Sequence, residues 1–131
     1  MKPFFLNTPQ TLKLHKIQID RKGGDPRLLD AGRLDSAVMA PQATFDGNFL
    51  YRDVFEMAAT YLFSIAKNHP FADGNKRAAA FAALVFIELN GWRVDESREF
   101  ELTAAVLNVA SGRMEKAELT KALRRYSRQA S

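Results

Sequence analysis

The chain has 131 residues, 47% of them apolar, which is enough for one domain with a packed core. It contains no cysteine, so disulfides, thiolate metal sites and cysteine nucleophiles are excluded. Lys and Arg outnumber Asp and Glu, 19 against 15, and the net charge of +4 favours anionic partners such as nucleotides. We therefore expect a single domain over residues 1–131.

No segment predicts export or membrane insertion. Residues 1–7 turn polar too soon for the apolar region of a secretory signal. The longest apolar run, 78–87, has ten residues, about half of what a bilayer-spanning helix needs. We expect a soluble, cytoplasmic protein with no membrane partner.

Three elements are predicted before residue 51. The pair Thr8-Pro9 is typical of a helix start, and the glycine pair that follows residue 22 predicts its end, which gives a helix over 9–22. Residues 30–39 predict a short helix that the next proline ends. An Asp-Gly pair within residues 41–50 predicts a loop or a short hairpin.

Two long helices follow. Apolar residues recur at spacings of three and four over 51–68, as in a helix with one buried face. This helix ends before Pro70, because a residue that precedes proline is pushed out of the α region. Residues 74–90 are apolar on nearly every side, which predicts a central helix covered by the others.

The remaining chain predicts a short connection over 92–96, a helix from Ser97 to about Ser111, and a last helix over about 114–129. We find no internal repeat and no linker that would divide the chain. The sequence therefore predicts an all-α bundle of about six helices, with a central buried helix and at most a short β-hairpin.

A compact group of polar residues separates the two long helices. Residues 69–77 read His-Pro-Phe-Ala-Asp-Gly-Asn-Lys-Arg. Backbone N–H groups at a helix start are unpaired, and glycine lets an anion approach them, so Gly74 and Asn75 are candidates for a phosphate site. Lys76 and Arg77 add full positive charges. We expect this site to bind a nucleoside di- or triphosphate.

Two further residues of this group have candidate catalytic roles. Asp73 could hold Mg²⁺, which prefers one or two carboxylates plus phosphate oxygens, or it could be only the N-cap of the next helix. His69 is suited to remove a proton from a hydroxyl, although a lone histidine is often only a core residue, as we expect for His15. Phe71 is predicted to anchor the loop in the core.

Basic residues also gather near the C-terminus, where a solvated helix face is the simpler explanation. A nucleic-acid surface would usually add interleaved aromatic residues, and only Tyr126 is present there. Direct nucleic-acid binding is therefore not expected. The basic positions are Lys116, Lys121, Arg124, Arg125 and Arg128.

The nine-residue motif at 69–77 resembles the signature of the Fic/Doc family, and its Asn-Lys-Arg ending is similar to the Doc branch. Weaker matches extend the resemblance over residues 12–95. The resemblance implies a six-helix Fic/Doc-type fold and transfer of a phosphate-containing group from a nucleotide to a protein hydroxyl. The weaker matches are Leu14-His15, Gly23-Gly24, residues 32–37, residues 41–45 and residues 89–91.

Catalytic roles follow from the resemblance. His69 would be the general base on the target hydroxyl, and Asp73 would organise Mg²⁺ and the phosphate. Lys76 would stabilise charge on the transferred group.

Phosphate-binding roles are implied for four other residues. Gly74 and Asn75 would form the anion hole. Arg77, like Lys76, would stabilise charge on the transferred group, and Arg21 on the first helix could add to the site. Many Doc-like chains have a polar residue where this chain has Phe81.

The Doc branch is similar to kinases that use ATP and Mg²⁺ to phosphorylate a threonine of elongation factor Tu and so arrest translation. Adenylylating Fic enzymes have glycine where this chain has Lys76, and they usually have a second arginine where it has Phe81. This chain therefore lacks the second arginine. Adenylylation of a protein hydroxyl is the alternative activity. A non-enzymatic alternative is an inert binding module that contacts nucleic acid through Arg124 and Arg125.

Family members are restrained by a helix with the pattern [S/T]-x-x-x-E-[G/N]. Residues 1–131 do not contain this pattern. The resemblance therefore implies a restraint supplied in trans by an antitoxin whose disordered tail folds on binding. The alternative is a poorly active enzyme that has no restraint.

Overall fold

The computed structural model describes residues 2–130, without the side chain of residue 99. Six α-helices in this part of the chain confirm the predicted all-α bundle. They are α1 Thr8–Lys22, α2 Ala31–Met39, α3 Val54–Asn68, α4 Asn75–Leu89, α5 Glu99–Ala110 and α6 Lys116–Arg125.

Two short antiparallel sheets accompany the helices. The predicted hairpin is present, with β1 (Thr44–Phe45) paired to β2 (Asn48–Phe49). The second sheet was not predicted: β3 (Trp92–Val94) pairs with β4 (Ser127–Gln129). Two 3₁₀ turns, Ala40–Gln42 and Glu96–Arg98, complete the described elements.

The second sheet corrects the predicted last helix. Helix α6 ends at Arg125 instead of about residue 129, because the following residues turn back to pair with β3. The Asp95 N–H donates to the Tyr126 carbonyl at 2.7 Å, and the Ala130 N–H donates to the Gly91 carbonyl at 2.9 Å. The sheet of β3 and β4 joins the end of the described chain to the end of α4.

The start of α1 lies one residue earlier than predicted. The N-cap is Asn7, whose side chain accepts from the Gln10 N–H at 2.9 Å. The Gln10 side chain in turn accepts from the Asn7 N–H at 2.9 Å, which completes a capping box. Reciprocal capping satisfies two otherwise unpaired N–H groups, and Thr8 becomes the first residue of the helix.

Helices α3 and α4 form the centre of the bundle. Small side chains on α4, among them Ala79 and Ala83, are buried and let α3 pack closely. The rings of Tyr61 and Phe86 are both fully buried, with their centroids 5.0 Å apart. Helix α4 is not covered on every side as predicted, since Glu88 is exposed and one side of the helix borders a groove.

Tyr61 fixes the N-terminal segment to this core. Its hydroxyl accepts from the Leu6 N–H at 2.9 Å and lies 3.4 Å from the Leu6 carbonyl. Burial raises the pKa of Tyr61 from 10.0 to about 12. The neutral phenol is therefore the form that the folded chain stabilises.

Stability should fall at alkaline pH because of Tyr61. Tyr61 ionises near pH 10 in the unfolded chain and near pH 12 in the folded chain. Its contribution to the free energy of unfolding is therefore fully present below pH 10 and is lost as the pH rises from 10 to 12. We expect a loss of roughly 2–3 kcal/mol across this range. Urea unfolding at several pH values should show a flatter alkaline decline for Tyr61→Phe than for wild type. An equally steep decline in both proteins would contradict the assignment.

A second, smaller core holds α2 against the start of α4. It consists of the buried side chains Leu34, Val38, Phe71 and Ala78. Phe71 belongs to the connection between α3 and α4, so the predicted anchoring role of this residue is confirmed. None of the helices within residues 2–130 is long and apolar enough to cross a membrane.

Candidate active site

The residues between α3 and α4 form the candidate active-site loop, residues 69–74. Helix α3 ends at His69, which has a left-handed backbone (φ 50°) and whose N–H donates to the Ile65 carbonyl at 3.2 Å. Positive φ is uncommon outside glycine, although histidine adopts it more readily than most residues. The His69 side chain is exposed and borders an open cleft of about 680 Å³ between α2 and the end of α3.

The connection between α1 and α2 pairs with this loop. The Leu29 N–H donates to the Pro70 carbonyl at 2.8 Å, and the Ala72 N–H donates to the Arg27 carbonyl at 3.0 Å. These bonds flank the buried ring of Phe71. The backbone of the loop is therefore held at the residues before and after Phe71, although it contains no regular strand or helix.

Asn75 closes the loop with its side chain. Its amide oxygen accepts from the Phe71 N–H at 3.0 Å, and its amide nitrogen donates to the Phe71 carbonyl at 2.8 Å. The side chain is buried and thus committed to the loop. Only the backbone N–H of Asn75 is left to bind an anion.

Replacing Asn75 by alanine should destabilise the protein. The substitution leaves a buried N–H and a carbonyl of Phe71 without partners, which costs about 1–3 kcal/mol. Asn68→Ala is a matched control, since Asn68 makes a single bond to the Arg33 carbonyl at 3.0 Å near the surface. Urea unfolding should show the larger loss for Asn75→Ala. Equal losses would contradict the bracing role of Asn75.

The start of α4 has the geometry of an anion site. Gly74 is the N-cap with φ 78°, and no side chain caps the helix. Asp73 is therefore not the N-cap, and that alternative for this residue is wrong. Within residues 2–130, the backbone N–H groups of residues 74–77 have no hydrogen-bond partner. Such groups, with the positive end of the helix dipole, attract phosphate.

Asp73 lies beside this anion site with one oxygen in use. Its Oδ2 accepts from the Asp25 N–H at 2.7 Å. The other carboxylate oxygen has no hydrogen-bond partner among the described residues and can bind a ligand. No group of three or more His, Asp or Glu side chains in the described part of the chain could hold a metal. A single carboxylate nevertheless fits Mg²⁺ that is bound mainly through nucleotide oxygens and water.

The two cations of the motif border a groove. Lys76 is exposed and forms no ion pair within the described residues, and an Arg77 Nη donates to the Gly23 carbonyl at 3.2 Å. Both side chains line a groove of about 710 Å³ between α4, β3 and α5. Its apolar wall includes Leu84 and Val106. His69 lines the other cleft, so the loop lies between two concave surfaces.

Two residues of α1 differ in how they relate to the loop. Arg21 is exposed in the last turn, and no hydrogen bond or ion pair in the described structure joins it to residues 69–77. His15 is buried, as expected, and its Nε2 lies 2.7 Å from the Asp73 carbonyl oxygen. Apart from the weak match at Leu14-His15, no sequence pattern predicts this contact.

The loop after α1 supplies a further residue that sequence reasoning missed. Asp25 contributes its backbone N–H to Asp73, and its carboxylate pairs with Arg27 at 2.6 Å. The side-chain hydrogen bond from Arg27 lowers the pKa of Asp25 from its ordinary value. Asp25 therefore stays ionised and paired while its backbone holds the catalytic candidate Asp73.

The fold and this loop define a Fic-type protein. The family model described as the Fic/DOC family matches residues 5–87, and the chain belongs to this family. It is 34% identical over 120 residues to Protein kinase doc of Escherichia phage P1, with 92% of this chain and 93% of that protein covered. It is 42% identical over 83 residues to Toxin Doc of Mycolicibacterium smegmatis, covering 63% of this chain and 62% of the relative. These relatives place the chain on the Doc branch.

Proposed function

We propose that this protein is a Doc-type toxin that transfers the γ-phosphate of ATP to a hydroxyl of a translation protein similar to elongation factor Tu. The observation that carries the proposal is the open start of α4, where unpaired N–H groups stand beside Lys76, Arg77 and Asp73. The names of the two relatives, a protein kinase and a toxin, agree with this activity. Lysine at position 76, in place of the glycine of adenylylating enzymes, favours kinase chemistry.

The proposed reaction assigns a role to His69 of the loop and to the groups at the start of α4. The target hydroxyl approaches the exposed His69, which takes its proton as the oxygen attacks the γ-phosphorus. The bond from that phosphorus to the β–γ bridging oxygen breaks, and ADP leaves. The N–H groups of residues 74–77 and the charge of Lys76 hold the phosphate oxygens in place.

Asp73 is the residue that would hold Mg²⁺ at this site. The ion would neutralise charge on the nucleotide oxygens when bound. Asp25 fixes the orientation of this carboxylate through one oxygen, and the other oxygen remains for the ion.

The binding-module alternative is not favoured by the contacts of the last helix. Arg124 pairs with Asp53 at 2.6 Å and lies over the Phe55 ring at 5.7 Å. One of the two arginines that would contact nucleic acid is thus bound to the protein itself.

Labelled ATP distinguishes the remaining chemistries. The purified chain is incubated with a translation extract and ATP labelled at either the γ- or the α-phosphate. We expect the γ-label on one protein band, similar in size to elongation factor Tu. Transfer of the α-label would indicate adenylylation instead, and absence of both labels would contradict an enzymatic role.

Restraint by an antitoxin is a second part of the proposal. The groove beside α4 has an apolar wall with Lys76 and Arg77 at one end. Glu88, Asp95 and Glu96 line the same groove. An amphipathic segment that folds on binding, with its acidic residues toward Lys76 and Arg77, would complement this surface. A small neighbouring gene with such a tail should relieve growth arrest when it is expressed with the toxin. Arrest that persists in its presence would contradict this pairing.

A further inference from the structure

We infer that His15 is a positioning residue of the active-site loop, which turns the Gly74 N–H toward the phosphate site; this inference rests on the proposed function. His15 is buried on α1, with 3% of its surface exposed. Its Nε2 lies 2.7 Å from the carbonyl oxygen of Asp73. A carbonyl oxygen can only accept, so Nε2 must carry the hydrogen.

The imidazole ring fits between two parts of the loop. It stacks on Phe71 with the ring centroids 3.6 Å apart and the planes 4° from parallel. A Cβ atom at Gly74 would lie 3.4 Å from Nε2 and 3.2 Å from Cδ1 of Ile19. The ring therefore has little room to turn away from the Asp73 carbonyl.

Peptide geometry links this hydrogen bond to the anion site. The Asp73 carbonyl and the Gly74 N–H belong to one planar trans peptide, so they point in opposite directions. When His15 holds the carbonyl against α1, the N–H must face away from α1. That N–H has no hydrogen-bond partner within residues 2–130, and it is thus left for a ligand.

The Asp73–Gly74 peptide needs this hydrogen bond because Gly74 restricts its rotation very little. Glycine accepts both positive and negative φ, so the peptide before Gly74 could rotate with little steric resistance. The Asp25 N–H donates to the Asp73 side chain at 2.7 Å, and Asp25 makes no hydrogen bond to this peptide group. Of the described residues, His15 is the one whose side chain bonds to the Asp73 carbonyl.

The test titrates wild type and His15→Phe with inorganic pyrophosphate in the presence of Mg²⁺ and measures binding by ¹⁵N NMR. Phenylalanine keeps a ring against Phe71 but removes the donor. We expect the Gly74 amide resonance to move on titration in wild type, and the affinity of His15→Phe to be at least about tenfold weaker. Ile87→Val is the control, since Ile87 is buried near the end of α4 that lies away from the loop, and the variant should loosen the core there and bind like wild type.

The outcomes separate this inference from the proposed function. If wild type binds pyrophosphate at Gly74 and His15→Phe binds it more weakly, but wild type transfers no phosphate, the kinase proposal fails and the positioning role stands. If His15→Phe binds as wild type does, or if wild type leaves the Gly74 amide unmoved, the positioning role is overturned.

A wild-type measurement covers the case in which His15→Phe does not fold. The imidazole ¹⁵N spectrum should show a protonated Nε2 at neutral pH whose hydrogen exchanges slowly with water. An unprotonated Nε2 would overturn the inference.

Discussion

Replacing His69 by alanine should lower phosphate transfer to the target protein by about 10²–10⁴-fold, the usual contribution of a general base. The His69 side chain is exposed and makes no hydrogen bond among the described residues, so its loss disturbs few contacts. Nucleotide binding should be nearly unchanged, because the N–H groups and cations proposed to hold phosphate belong to residues 74–77 and not to His69. Transfer from γ-labelled ATP and isothermal titration with ADP and Mg²⁺ measure the two effects.

His69→Asn separates chemistry from backbone strain. His69 has φ 50°, a conformation that asparagine tolerates better than alanine does. Asparagine also lacks a group that can accept the proton at neutral pH. Both variants should be equally inactive, with His69→Asn the more stable of the two. Activity near the wild-type level in His69→Asn would show that His69 only shapes the loop.

Replacing Lys76 by alanine should lower transfer by about 10²–10³-fold, comparable to the loss of one group that stabilises developing charge. Lys76 is exposed at the mouth of the groove, so the free energy of unfolding should change by less than about 0.5 kcal/mol. The expected result is a large loss of activity in a protein of normal stability. Steady-state transfer rates measure the loss of activity, and urea unfolding of the same preparation measures the change in stability.

Lys121→Ala is the matched control for charge. Lys121 is also exposed, and it lies on α6, outside the active-site loop and the groove. The variant removes the same charge and should transfer phosphate at the wild-type rate. Equal losses in both lysine variants would indicate that net charge, and not the position of Lys76, supports activity.

Much of the bundle could be predicted from the sequence, because its long helices have regular apolar patterns and clear stop signals. Helices α3 and α4 were expected over 51–68 and 74–90 and are found at Val54–Asn68 and Asn75–Leu89. The sheet of β3 and β4 was missed, since two three-residue strands far apart in sequence carry no local signal. Long-range pairing also overrode the helical tendency at the end of α6.

The candidate site was predicted as a set of residues, but not as an arrangement. The motif identified His69, Asp73 and the cations, because their spacing places them in one loop and one helix turn. It could not show that the Asn75 side chain is used to brace the loop. Nor could it show that His15 and Asp25, more than 45 positions away, hold the backbone and the carboxylate of Asp73.

The structure of the protein bound to ATP and Mg²⁺ tests the central claim most directly. We predict that the γ-phosphate lies within hydrogen-bonding distance, about 3 Å, of the N–H groups of residues 74–77. The His69 imidazole should face the same phosphate across the loop. A nucleotide whose phosphates bind away from the start of α4, with these N–H groups free of it, would contradict the account.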